Sequence, residues 1–385
     1  MMGFRFKGGA FLASAVLLAM LASTALADPG LSDGRILIGQ SAPFTGAAAQ
    51  IGVQYNLGAQ VYFDALNAAG GIHGRKVKLI TADDKYEADA AAANTEHFIN
   101  EDHVFALFGY VGTPTSVAAM PIFMREKVPF FAPFTGAEVL RSPVNHYVFN
   151  IRASYFDETE HLVDQLVALS ITHIAVFYQN DAYGEAGLAG VKRAMARHNL
   201  TVAALATVQR NSTEVSKAAQ TLLLAQPQAI IQISAYQSCA ALIRAMKQQG
   251  YAGQFLNVSF VGSQALADVL GPAGVGVEIS QVVPFPYKAE LPIVREYQRA
   301  MESAGVKQKI DYSSLEGYIA ARVFAEGMRR AGANPTREGF ISALETINPS
   351  NFDLGGFDVE FSPKSHYGSR FVDETMILPD RKFRD

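Results

Sequence analysis

Ala106-Leu107-Phe108-Gly109-Tyr110-Val111-Gly112-Thr113-Pro114-Thr115-Ser116 and, a little further on, Val128-Pro129-Phe130-Phe131-Ala132-Pro133-Phe134-Thr135-Gly136 carry the pattern from which the fold is read. In each, an apolar run reaches a turn of small residues that bears a threonine. The first turn leads into a helix predicted over Ser116 to Lys127. A buried strand that stops ahead of a helix leaves backbone N–H groups unpaired at the helix N-terminus, and the hydroxyls beside them complete a seat for a small anion. We read a pocket for a ligand carboxylate here, with two lobes closing over it.

Working outward, strand and helix alternate with regularity. Upstream lie a strand at Arg35–Gln40, a helix at Ala49–Ala69, a strand at Lys76–Ile80 and a helix at Ala88–Asn100, the helices recognised by apolar residues three and four apart. A second series follows Asn150. Ser154 and Asp157 have capping-box spacing for a helix to about Ser170. Strands at His173–Tyr178, Val202–Val208, Ala229–Ser234 and Phe255–Val258 then alternate with helices at Glu185–His198, Thr213–Leu224 and Ser238–Gln249. This rhythm predicts α/β architecture with parallel, doubly wound sheets in two Rossmann-like lobes. The last third breaks it, with a strand at Ile279–Val283, helices near Ile293–Ala304, Ser313–Ala331 and Arg337–Thr346, and late strands at Phe357–Phe361 and Phe371–Leu378. Such a tail can cross between lobes more than once. The expected division is lobe one at 34–150 and 285–365, and lobe two at 151–284 and 366–385.

The first 27 residues read as a cleaved secretory signal. Arg5 and Lys7 precede an apolar run from Ala10 to Ala22, and Ala25-Leu26-Ala27 is a small-x-small cleavage site. The run is too short to span a bilayer, which takes about 20 residues. Removing this segment moves the formal charge from −4 to −6, and an acidic surface argues against a nucleic-acid partner. Cys239 is the only cysteine, so no intramolecular disulfide forms. No nucleophile elbow, phosphate loop or zinc-protease motif occurs, and the eight histidines are scattered. We therefore expect a binding protein with no catalytic residues, no metal and no cofactor.

Further motifs follow one another in order: Ile36-x-Ile38-Gly39, Pro43-x-Thr45-Gly46, Asn67-Ala68-Ala69-Gly70-Gly71-Ile72-x-Gly74-Arg75, Ala82-Asp83-Asp84, Val128-Pro129-x-x-Ala132-Pro133, Phe149-x-Ile151-Arg152 and Tyr183-Gly184-Glu185. Taken together they resemble the type I periplasmic solute-binding proteins of ABC transporters, the leucine/isoleucine/valine-binding group, over about Arg35 to Phe371. The resemblance implies a ligand held between two lobes joined by a three-crossing hinge, and delivery to an ABC-type inner-membrane permease. It implies that the ligand carboxylate meets Gly112 and Thr113 and the loop Phe134-Thr135-Gly136, while Tyr183, with Tyr155 beside it, covers the ligand from lobe two. Thr113 also suits a plain N-cap before Pro114, a role compatible with binding. One departure stands out: where the group carries a glutamate for a ligand ammonium, the ungapped match here is Ser259. Either another acid takes over, with Asp157 and Asp181 the nearest by lobe, or the ligand lacks an ammonium. The expected function is capture of a small carboxylate-bearing solute, an amino acid or related organic acid, in the periplasm. The alternative is a periplasmic sensor that passes occupancy to a separate signalling partner.

Overall fold

A computed structural model describes residues 1–3 and 28–384. Apart from residues 1–3, the expected signal segment lies outside the described residues. Lobe one is built on β1 (Leu31–Ser32), β2 (Arg35–Ala42), β3 (Lys76–Asp83), β4 (Ala106–Phe108), β5 (Phe130–Phe131) and β6 (Val148–Phe149). Between these strands run α1 (Ala49–Ala68), α2 (Ala88–Asn100) and α3 (Thr113–Arg125). Its parallel strands lie in the order β3-β2-β4-β5-β6, with β1 antiparallel on β2. The central strands β4, β5 and β6 are short and wholly buried, as expected of a sheet with helices on both faces, while the edge strand β3 is largely accessible.

Lobe two opens with α4 (Tyr155–Ala168) and continues through β7 (Ile174–Gln179), α5 (Ala182–Arg197), β8 (Leu205–Val208), α6 (Ser216–Ala225) and β9 (Ala229–Ile233). It is completed by α7 (Tyr236–Gln248), β10 (Gln254–Asn257), α8 (Ser263–Leu270) and β11 (Glu278–Gln281). The parallel order is β8-β7-β9-β10-β11. Taken in chain order within each lobe, both sheets therefore read 2-1-3-4-5. That order creates a crevice at the carboxyl ends of the strands where the winding reverses.

The tail returns to lobe one as α9 (Pro292–Ser303), α10 (Tyr312–Arg330) and α11 (Arg337–Leu344), then makes the hairpin β12 (Glu360–Ser362) and β13 (Ser365–Gly368). It ends on lobe two, where β14 (Asp373–Ile377) pairs antiparallel with β11, and β15 (Phe383–Arg384) with β14. The chain thus passes between the lobes three times, near residues 150–154, 282–291 and 369–372. Two of these passes are bonded together: Asn150 N–H donates to His366 O at 3.0 Å, and Ser369 N–H to Ile151 O at 3.1 Å. The His366 ring stacks on Phe149 with centroids 3.8 Å apart.

Most predicted elements are present with shifted ends. The first helix after the Thr-bearing turn starts at Thr113 rather than Ser116, and the strand expected at Phe357–Phe361 is instead Glu360–Ser362. α10 is buried almost throughout and packs along α1, which a tail helix outside the regular alternation does not announce. At this crossing Gly58 lies against the Ser314 carbonyl and Gly317 against the Tyr55 carbonyl, so a Cβ at either would strike backbone. Alanine raises helix propensity by about 1 kcal/mol over glycine. The collision outweighs that gain, and we expect Gly58→Ala and Gly317→Ala each to destabilise by about 2–3 kcal/mol net. Urea denaturation checks this, and a neutral or stabilising result would show that the helices can separate without cost.

Candidate ligand site between the lobes

The lobe-one side begins where β4 ends. Gly112, not Thr113, is the N-cap of α3, with φ +104°, a conformation that glycine adopts at no steric cost. The Tyr86 ring packs so closely on Gly112 that a Cβ would collide with it. The N-cap role considered for Thr113 is thus corrected. Thr113 is already helical, and its hydroxyl is free to meet the Thr135 hydroxyl at 2.7 Å. Thr135 Oγ1 also donates to the Tyr155 phenol oxygen at 3.3 Å, so three hydroxyls form one chain across the first crossing. The Thr135 loop is held from behind by buried Arg141, whose guanidinium donates to the carbonyls of Thr135, Ala137 and Arg152 at 3.2, 3.0 and 3.0 Å. Gly136 lets Tyr155 approach closely, and Tyr155 N–H donates to Gly136 O at 2.7 Å. One turn into α3, the buried Ser116 hydroxyl has no hydrogen-bond partner.

From lobe two come Tyr155 and Tyr183, in the first turns of α4 and α5 and fully buried. Their rings lie 5.3 Å apart, and Tyr183 packs on Phe260 at 4.5 Å. Phe260 in turn reaches Phe134 and Tyr86 of lobe one, each at 5.7 Å. Aromatic rings from both lobes therefore surround the hydroxyl chain. Burial raises the Tyr183 phenol well above its ordinary range, and its oxygen has no partner.

Ser259 begins a short 3-10 turn after β10, and its backbone N–H donates at 2.7 Å to a carboxylate that the sequence reading missed, that of Glu158. The same oxygen, Oε2, accepts from Ser280 Oγ at 2.6 Å. The other, Oε1, is buried with no partner. Burial pushes the Glu158 carboxyl above the usual carboxylate range, while the guanidinium of Arg152 and the Ser280 and Ser259 donors pull it back. The acid missing at position 259 thus stands beside it in space, supplied from α4. Asp157 and Asp181 do not fill this place. Asp157 closes the α4 capping box and accepts from Tyr367 and Arg370, while Asp181 caps α5 and accepts from Gln179 and Arg210. The available clue was helical spacing, since Glu158 lies three residues after Tyr155 and four before Leu162, on the buried face.

Arg152, noted only within a motif, is fully buried and pairs bidentately with Glu316 of α10, both bonds at 2.9 Å. Its guanidinium lies 4.0 Å over the Phe134 ring, and its Nη1 is buried without a partner. A cationic nitrogen, Arg152 Nη1, and an anionic oxygen, Glu158 Oε1, thus both lack a hydrogen-bond partner in the buried region where the lobes meet. Low polarity strengthens interactions with any charge placed there. The outer rim is different. Arg210 pairs with Glu87 at 2.9 Å, and Asn211 Nδ2 donates to Lys85 O at 3.1 Å and Glu87 Oε1 at 2.8 Å; further in, the buried Gln179 Nε2 donates to the Tyr86 phenol at 3.3 Å. Cys239 is buried in α7, where burial drives its thiol far above the ordinary value and so disfavours the thiolate.

Comparison with known proteins gives a consistent answer. A family model described as periplasmic binding protein matches residues 35–371. An amino acid binding protein of Pseudomonas aeruginosa is 26% identical over 321 residues, covering 82% of each chain. Among solved structures, a possible leucine/isoleucine/valine-binding protein from Rhodopirellula baltica matches with a TM-score of 0.87 and 34% identity, over 94% of this chain and 98% of the other. A substrate-binding periplasmic protein from Ralstonia solanacearum matches with a TM-score of 0.85 and 34% identity, over 90% and 99%.

Removing one member of a buried ion pair leaves the other charge uncompensated, at a cost of about 3–5 kcal/mol. We expect that loss of stability for Glu316→Gln, read by chemical denaturation. The double replacement Arg152→Met/Glu316→Leu should recover part of it, because the pair leaves no lone charge of its own while Glu158 loses the guanidinium that favours its charged form. Equal losses in single and double variants would contradict this account.

Proposed function

The chain belongs to the periplasmic binding protein family, and from that premise we propose that it is the substrate-binding component of an ABC importer for a small solute bearing both a carboxylate and a protonated nitrogen. Exported across the inner membrane, it captures the solute between its lobes and presents the closed complex to a permease. The carboxylate is received on lobe one by the Thr113 and Thr135 hydroxyls and the N–H groups at the start of α3, with Tyr155 and Tyr183 covering the solute from lobe two. The observation that carries the reading is the unpartnered, buried Glu158 Oε1. A buried carboxylate oxygen without a partner is costly, and an ammonium group satisfies it. Closure follows because the two ends of one solute contact different lobes, so binding favours the state in which the lobes meet.

The magnitudes are adequate. Hydrogen bonds to charged groups contribute ~1.5–3 kcal/mol each, and three or four of them supply most of the ~8 kcal/mol of a micromolar complex. Thr113→Val with Thr135→Val should weaken binding at least about tenfold, the loss of ~1.4 kcal/mol or more, without unfolding the protein. Titration calorimetry with a panel of amino acids and their 2-keto acids tests both ends. We expect amino acids to bind, keto acids to bind more weakly, and Glu158→Gln to narrow the difference. Keto acids binding as well as amino acids would remove the ammonium from the proposal. Unchanged affinity in the threonine variant would remove the carboxylate seat.

A further inference from the structure

The rim of the cleft holds a cation that touches both lobes. Arg210 lies in the loop between β8 and α6, and its side chain is only 23% exposed. Its Nη2 reaches Glu87 of lobe one at 2.9 Å, and its Nη1 reaches Asp181 of lobe two at 3.2 Å. Each acid is the N-cap residue of a helix, Glu87 of α2 and Asp181 of α5. Asn211, next in the chain, bonds across the same gap to Glu87 Oε1 and Lys85 O.

Both loops are shaped for this contact. Lys85, Tyr86 and Asn211 have φ of +52°, +64° and +61°, left-handed conformations that residues other than glycine adopt at a cost. Asp83 and Asp84 brace the first loop by accepting from the N–H groups of Lys85 and Tyr86 at 3.0 and 2.8 Å. So turned, the loop offers the Lys85 carbonyl to Asn211 and buries the Tyr86 side chain fully. The Tyr86 phenol accepts from Gln179 of lobe two, and its ring packs on Gly112, the N-cap of α3. The Arg210 guanidinium lies 6.0 Å from the centre of that ring. Asp181, on the other side, accepts from Tyr183 N–H at 3.0 Å and Gln179 Nε2 at 2.7 Å. Arg210 therefore grips the rim one step away from both the start of α3 and Tyr183.

An isolated exposed ion pair contributes little. Here one guanidinium is shared by two carboxylates from opposite lobes, so removing it turns attraction across the gap into repulsion between like charges. Every bond in this network joins protein to protein, so its contribution does not depend on a solute. We propose that Arg210 is a latch and positioning residue, which by bridging Glu87 and Asp181 holds a fraction of the molecules closed before any solute enters, with Tyr86 and Tyr183 already in place. This goes beyond the solute proposed above, and its test uses no solute.

Spin labels attached through Ala93→Cys on α2 and Lys217→Cys on α6, both exposed positions, report the separation of the lobes by pulsed electron resonance; Cys239 is buried and escapes labelling. Without solute and at about 0.02 M salt we expect a short-distance population that shrinks towards 1 M, where the screening length falls to about 3 Å. Arg210→Gln should cut the ratio of short to long distances by about threefold or more and remove most of its salt dependence. Arg210→Lys, which cannot fork between two acids, should fall between. Adding Glu87→Gln to Arg210→Gln should cost little more, as expected of partners in one contact. A wild-type protein with only the long distance overturns the proposal. So does an Arg210→Gln protein with the wild-type distances and salt response. Should Arg210→Gln fail to fold, Glu87→Gln and the wild-type salt series decide in the same way, and a short population indifferent to both refutes the latch.

Discussion

Arg152 and Glu316 form a buried bidentate pair at the point where the chain first leaves lobe one, and much of the architecture is arranged around it. A guanidinium and a carboxylate taken out of water lose solvation that their attraction only about restores, so net stability is a poor explanation for the pair. Its effect is positional. Glu316 belongs to α10, which lies along α1; Arg152 belongs to the first crossing; and Phe134 beneath the guanidinium belongs to the loop that carries Thr135. One pair therefore sets the distance between the lobe-one helices, the start of the hinge and the threonine loop. Arg141 repeats this from below by gathering the carbonyls of the same loop and of Arg152 itself.

The repeated strand order accounts for the remaining geometry. Each lobe winds outward from its first strand in both directions, and the loops that leave the reversal point carry Gly112 and Thr113 on one side, and Asp181 and Tyr183 on the other. Rings at the interface exclude water. Hydroxyls at helix starts, a guanidinium nitrogen and a carboxylate oxygen supply what polarity remains. On the function proposed above, this combination would favour a small solute of mixed polarity over an apolar one, since an apolar occupant would leave each of those groups unsatisfied.

Much of this was legible in residue order because the responsible physics is local. Periodicity marked the helices, small-residue turns marked the strand exits, and Ser154 with Asp157 announced the start of α4 by a spacing that closes within one helical turn. What escaped depended on contacts between distant segments. Whether Thr113 caps its helix or faces Thr135 is decided by Gly112, whose positive φ moves the cap back by one residue. Tyr155 and Tyr183 were expected at the cleft, but the turns that carry them do not show that Tyr183 packs on Phe260 from the far end of lobe two with Tyr155 beside it. Glu158 was overlooked for a related reason: the acid was sought at one position in a loop, whereas the fold delivers it to that place from a helix about a hundred residues earlier. Linear comparison aligns positions, and a site needs only that an atom occupy a volume.

The contacts that hold the lobes together differ in kind from floor to rim. At the floor they are rings and buried hydroxyls, while at the rim they are Arg210, Asn211, Lys85 and Glu87, which solvent reaches. An interface bonded in this graded way fails like a peeled seam rather than a lifted plate. Water and dissolved ions compete for the rim first, each bond lost there exposes the next, and the dry interior parts last. For a solute held as proposed above, release would then be governed less by how tightly the floor grips it than by how often the edge begins to tear.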